Sequence, residues 1–314
     1  MAIRLTQWRM TPQRFRQVAV VALLMLAVII VTGAAVRLTG SGLGCDDWPN
    51  CSDSSFVDMS SRHTAIEQIN RLFTGAVGAA VIACAAGAVV RAPRRGDLTL
   101  LAALLVVGVL ANAVLGGISV LVDLHPVAVQ GHMLLSMALI VAGTVLVRRA
   151  GDPDGAARRP VVSGPTLALV RAHFAVATVA IFTGTLVTAA GPHAGDEEAA
   201  RLGVAIPTVA RLHGGAVIAT VLVALAIAWR VRASAADRGA LTGPLSAWLF
   251  AALLQGALGY VQYFNGVPAL LVGLHVTGAI VVMFLTTQVL LATHRAAAPA
   301  VEPAPARLLA GSHA

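Results

Sequence analysis

Three histidines recur at one depth in this sequence. His132 stands six residues after Pro126, His213 six after Pro207 and His275 seven after Pro268, and each proline opens an apolar run. At 1.5 Å per helical residue all three lie roughly 10 Å inside the ends where those runs begin. In the remaining even-numbered run the equivalent position is Asn70, with Glu67 three residues before it and Arg71 next to it. Histidines at one depth on facing helices can hold a metal. A zinc ion needs further Cys, His or carboxylate ligands, and none accompanies His213 and His275 at their level. A haem needs two axial imidazoles and an apolar slot between helices. The alternative, that each histidine only bridges helices by hydrogen bonds, suits a single buried histidine better than three in register. The pattern predicts haem ligands. Helix N-termini crowd the same end, so their dipoles, with Arg71 and Arg211, would favour haem propionates there.

The two sets are chemically unequal. His213 and His275 form a saturated pair, suited to a low-spin electron-transfer or structural haem. His132 has Asn70 as its counterpart, with Glu67 on the same helical face as Asn70. A carboxylate in an apolar cleft can exchange protons or stabilise a developing cation, so this set reads as the reactive one. The alternative role for Glu67 is a salt bridge to Arg71 at i+4.

The elements that must position these residues are membrane helices. The chain is 58% hydrophobic and 11% charged, with a mean hydropathy of +0.83, far below the roughly 25% charged of a soluble domain. Eight apolar runs of spanning length occur, at 18–36, 66–90, 98–122, 127–147, 167–188, 207–229, 243–264 and 269–291. A carboxylate within such a run costs roughly 2.5 kcal/mol or more, so Glu67 requires a partner or a cavity. The net charge of +8 comes entirely from arginine, with no lysine. The arginines cluster before the first run and after the second, fourth, sixth and eighth, whereas the first and fifth loops carry Asp46, Asp47, Asp53, Asp58, Asp196, Glu197 and Glu198. This is the signature of cytoplasmic loops; it places both termini inside and argues against nucleic acid as a partner.

A repeat divides the chain. "INRLFTGAV" in the second run resembles "ARLHGGAVI" in the sixth, and "LGGISVLVDLHPVAVQGH" resembles "ALGYVQYFNGVPALLVGLH". Gly117 and Pro126 match Gly259 and Pro268 at one offset, and the following histidines match within one residue. The expected architecture is an all-α polytopic membrane protein, its eight transmembrane helices forming two pseudo-symmetric four-helix bundles. The bundles span 18–147 and 167–291, after a cytoplasmic segment 1–17, joined by a cytoplasmic linker 148–166 and followed by a disordered tail 292–314. Cys45 and Cys51, in the outer loop "GCDDWPNC", are placed to form a disulfide. Cys84 reads as a packing residue.

With these residues in view, the sequence resembles the haem A synthase family. The resemblance rests on "VTGAAVRLTGSGLGCDDWPNC" leaving the first span, "EQINR" opening the second, "QGH" in the fourth, "RLHG" in the sixth and "GLH" in the eighth. It implies oxidation of a methyl group of haem O to a formyl group, giving haem A for aa3-type cytochrome oxidase. It further implies a haem b on His213 and His275, with haem O served by His132 and Glu67. Partners implied are membrane lipid, the haem O synthase, an electron donor, oxidase assembly factors and a second copy of the chain. The family pattern in the second span is E-x-x-H-R, and here it reads Glu67-Gln68-Ile69-Asn70-Arg71. Either His132 alone holds the substrate iron or a loop histidine such as His63 supplies a second ligand. A di-haem b electron-transfer protein would use the same histidines without making haem A. A transporter fits less well, because the polar groups gather near one face, and a thiol oxidoreductase built on Cys45 and Cys51 lacks a quinone-site pattern.

Overall fold

The computed structural model describes residues 9–297 as eight long helices with one short antiparallel ribbon. The helices are α1 (Pro12–Leu38), α2 (Arg62–Val90), α3 (Gly96–Leu121), α4 (Pro126–Ala150), α5 (Gly164–Ala190), α6 (Ile206–Arg230), α7 (Ala235–Phe264) and α8 (Ala269–Ala292). All eight are long and apolar enough to cross a membrane. Large apolar side chains, among them Leu100, Trp229, Phe250 and Leu253, are exposed. Lipid is the solvent that tolerates such a surface, and helices satisfy their backbone groups internally there. The chain is a multi-pass membrane protein.

Several helices begin ahead of the apolar runs, where polar residues cap them. Ser61 and Thr64 close a reciprocal capping box at the start of α2. Thr11 caps α1 with Pro12 in the first turn. Ser234 caps α7, which starts eight residues before its apolar run and continues through Pro244. One cap comes from another helix. Asp237 of α7, 1% exposed, accepts hydrogen bonds from the Ser163 N–H (2.9 Å), the Ser163 hydroxyl (2.9 Å) and the Thr166 hydroxyl (2.6 Å). It thereby closes the first turn of α5, whose N–H groups have no partners within their own helix.

Helix α1 packs against α2 and α4, and α3 against the same two. In the second half α5 packs against α6 and α8, and α7 against the same two. Contacts of α4 with α5 and α8, and of α1 with α8, join the halves. Phe15, Leu105, Ile140 and Leu146 anchor the first core, to which α8 contributes Ile280 and Met283. Trp248, Leu241, Ile227 and Val170 anchor the second. At the end bearing the acidic loops, Arg37 of α1 donates to the Thr188 carbonyl of α5 (2.8 Å) and the Gly42 N–H to the Gly195 carbonyl (2.8 Å). Loops from the two halves are thus tied together.

The opposite end differs from expectation. Within the expected linker, β1 (Ala157–Pro160) pairs with β2 (His294–Ala297), Ala157 opposite Ala297 and Pro160 opposite His294. The segment taken as tail from 292 therefore begins as an ordered strand, and its remainder beyond 297 lies outside the described residues, as do residues 1–8. The arginines here are also partly consumed. Arg91 pairs with Asp154 (2.7 Å), Arg95 with Asp97 (2.9 Å) and Arg158 with Asp152 (3.3 Å).

Candidate functional site

In the second half the two histidines come together. His213 on α6 and His275 on α8 have ring centroids 6.4 Å apart and planes at 82°. His213 Nδ1 donates to the Ala180 carbonyl of α5 at 3.0 Å. Because a carbonyl only accepts, this bond fixes the proton on Nδ1 and leaves Nε2 for coordination. The ring edge lies on Gly184, where an added Cβ would stand 3.1 Å from His213 Cε1. His275 lies on Gly259 of α7 in the same way, at 3.1 Å. Its own carbonyl accepts from Gln255 Nε2 (2.7 Å), and its Nδ1 has no partner. Among the described residues no group of three or more His, Cys, Asp or Glu is assembled, so the two imidazoles stand without a third such side chain.

The first half repeats this local geometry once. His132 on α4 donates from Nδ1 to the Asn112 carbonyl of α3 (3.0 Å) and rests on Gly116, where a Cβ would stand 3.0 Å from Cε1. Asn112 also donates from its side chain to the Ser136 hydroxyl (2.9 Å). Gly116 is therefore the structural counterpart of Gly259. The sequence match to Gly117 is off by one, since Gly117 serves a different neighbour: a Cβ there would run into the indole of Trp48.

Glu67 and Arg71 are engaged elsewhere. Glu67 is 5% exposed. It accepts from the Cys45 N–H (2.8 Å) through Oε2 and from Arg71 Nη2 (2.7 Å) and Nε (3.0 Å) through Oε1. Arg71 Nη1 donates to the Asp47 carbonyl (3.0 Å) and the Asn50 carbonyl (2.8 Å). Of the two roles open to Glu67, the ion pair is the one visible here, and it is part of a clamp. Cys45 and Cys51 are bonded, and the clamp holds their loop on α2 while Trp48 rests on α3. Asn70 leaves its Oδ1 buried without a partner among the described residues. His63 is exposed, and its Nδ1 lies 3.0 Å from the Ser41 hydroxyl. Arg211 is exposed and has no ion pair among the described residues.

These features lie on a chain with known relatives. A family model described as "Cytochrome oxidase assembly protein" (COX15-CtaA) matches residues 16–65 and 56–195, more than half of the sequence. The chain belongs to this family. Similar proteins named "Heme A synthase" come from Shouchella clausii (29% identical, covering 55% of this chain and 58% of the relative) and Halalkalibacterium halodurans (28%, covering 52% and 55%). Another comes from Bacillus mycoides (31%, covering 43% and 45%). The chain spans about half the length of the curated relatives it matches.

For this member of the cytochrome oxidase assembly family, the sequence located the three histidines and, through the repeat, Gly259, but not Gly116 or Gly184 nor the place of any of them beneath a ring. Gly116, Gly184 and Gly259 each sit on the helix preceding a histidine, a relation visible only once neighbouring helices are paired. It also passed over His173. That residue is fully buried against Trp248, with ring centroids 4.4 Å apart and planes at 80°, and neither of its nitrogens has a partner.

Proposed function

We propose that this protein is a haem A synthase, oxidising a methyl group of haem O to the formyl group of haem A. Family membership and the names of its relatives support the reading, and the geometry of His213 and His275 carries it. Their ring centroids lie 6.4 Å apart with planes at 82°, and the bond from His213 Nδ1 to the Ala180 carbonyl leaves its Nε2 free. Two neutral imidazoles between helices are the donor set that a haem takes, so His213 and His275 would hold a resident haem b. Such a haem would supply reversible one-electron transfer.

The chain's own residues do the rest. Ala180 fixes the tautomer and orientation of His213, as Asn112 does for His132. Gly184, Gly259 and Gly116 let the ring edges approach the adjacent helix closely. His132 would ligate the iron of the substrate haem O in the first half. Arg211, exposed near the same end, is available to a propionate carboxylate, and Arg71 keeps one N–H uncommitted. Glu67 serves the reaction as a positioning residue by holding the disulfide loop against α2. The arrangement of arginines and acidic loops supports a cell-membrane protein with both termini cytoplasmic. The haem O synthase, an electron donor and oxidase assembly factors are its expected partners.

The test is haem extraction from cells with and without the protein, together with the absorption spectrum of the purified protein. Haem A should appear only with the protein, and His213→Ala or His275→Ala should abolish the low-spin spectrum. Permanently bound haem b with no haem A in any sample would overturn the synthase reading. An unchanged spectrum in His275→Ala would overturn the ligand assignment.

A further inference from the structure

Each histidine of the repeat occupies a frame: it lays its ring edge on a glycine of the preceding helix, and for His132 and His213 the carbonyl four residues before that glycine accepts from Nδ1. Gly116 with Asn112 serves His132, and Gly184 with Ala180 serves His213. Gly259 serves His275, with Gln255 at the carbonyl position binding the His275 carbonyl through its side chain. The fourth frame lies on α1, the helix preceding α2. There "VTGAAV" repeats the "FTGTLV" of α5, so that Gly33 matches Gly184 and Ile29 matches Ala180.

This fourth frame has no ring in it. An added Cβ at Gly33 meets nothing within 4 Å, whereas the other three glycines each have an imidazole carbon at 3.0–3.1 Å. The Ile29 carbonyl accepts only the Thr32 hydroxyl (3.2 Å) from side chains. The residue at the ligand position is Asn70, whose Oδ1 is buried and unpartnered. Among the described residues the loop histidine His63 does not take over, since it is exposed and pairs with Ser41. An uncharged amide is a weak iron ligand beside imidazole, and a buried amide oxygen without a partner is costly to keep.

We infer that the first half holds haem through His132 alone and keeps the opposite axial face, bordered by Gly33 and the Asn70 amide, open to a small exogenous ligand. This rests on the reading of that half as the haem O site. It deepens that reading by making the two halves different in coordination: His213 and His275 saturate one haem, and the other accepts a diatomic molecule or small anion. The Asn70 amide, able to donate or accept, is placed to hydrogen-bond such a ligand.

Carbon monoxide added to the reduced, haem-loaded full-length protein provides the test, because it binds only haem with an open axial position. The expected result is a carbon monoxide difference spectrum from one of the two haems. Asn70→Ala should keep that signal, and Asn70→His, which fills the frame, should abolish it. Gly33→Leu blocks the same space without a new ligand and should also abolish it, which covers a failure of Asn70→His to fold. Haem bound in both halves with no carbon monoxide signal would overturn the inference and leave the two-site reading intact. A signal equally strong in Asn70→His and Gly33→Leu would also overturn it. If His132→Ala leaves the haem content of the loaded protein unchanged, the first half is not a haem site, and reading and inference fall together.

Discussion

The clamp made by Glu67 can be tested without reference to catalysis. The Cys45–Cys51 bond is shielded, with the two residues 1% and 2% exposed, so a soluble phosphine reaches it only when the loop opens locally. Opening must break the bond that Glu67 accepts from the Cys45 N–H and those that Arg71 donates to the Asp47 and Asn50 carbonyls, whereas the Glu67–Arg71 pair lies within α2 and stays. Glu67→Gln keeps the length and one acceptor but removes the charge, so the loop loses a charge-assisted bond at Cys45 and Arg71 loses the carboxylate that orients it. A hydrogen bond to a charged group contributes about 1.5–3 kcal/mol, and the retained amide oxygen offsets part of it. About 1–2 kcal/mol remains.

The corresponding rise in the rate of disulfide reduction is roughly 5- to 30-fold, measured in detergent by following alkylation of the freed thiols. Arg71→Met should give a similar rise, and the double variant should add little beyond either, since both changes break one network. Reduction of Glu67→Gln at the wild-type rate would refute the clamp. If that variant also made no haem A while retaining the second-half haem, Glu67 would return to direct chemistry.

Other consequences are open to measurement. Gly184→Ala and Gly259→Ala each put a Cβ 3.1 Å from an imidazole carbon, so both should shift the low-spin absorption bands, whereas Gly33→Ala should leave them unchanged. Asp237→Asn must turn an NH2 toward one of three donors, Ser163 N–H, Ser163 hydroxyl or Thr166 hydroxyl, and should cost about 1–3 kcal/mol, seen as a lowered Tm; an unchanged Tm would remove it as the cap of α5. Burial, followed by the Arg158 and Arg171 cations, holds His294 below the usual imidazole range. Stability of the β1–β2 ribbon is then fully present above about pH 6.5 and lost as pH falls below it, because the opened strand takes up the proton first. Amide exchange at residues 294–297 should quicken on acidification, and His294→Gln should flatten that dependence.

What could be read in advance follows the physics of each element. The eight helices announce themselves through uninterrupted apolar length, and the three histidines through their fixed distance from a helix-opening proline. The doublet Gly116-Gly117 misled the repeat alignment by one residue because both glycines are needed, one under an imidazole and the other under Trp48. Glu67 and Arg71 share a helical face in any reading, but their partners at Cys45, Asp47 and Asn50 are backbone groups of a loop, which leave no trace in side-chain pattern. The same holds for the ribbon. Its strands are four residues each, with the sequences "ARRP" and "HRAA", too short and too polar to show alternation. Asp152 and Asp154 sit among arginines, and charge counting treats as a topology signal what the fold uses as ion pairs.

The ribbon joins comparable points of the two copies. β1 follows the last helix of the first half and β2 the last helix of the second, and they run antiparallel. That is the contact two protomers make across a two-fold axis, with the same surface used on both sides. Here the contact is intramolecular, because the residues between α4 and α5 join the two halves, and α4–α5 mirrors α8–α1 beside it. Covalent joining raises the effective concentration of one half at the other without any new contact. It also releases the two halves from identity, and here one carries His132 with Asn70 while the other carries His213 with His275. A chain cut within residues 151–156 and produced as two pieces should reassemble through α4, α5, α8 and the ribbon, in a manner that depends on concentration.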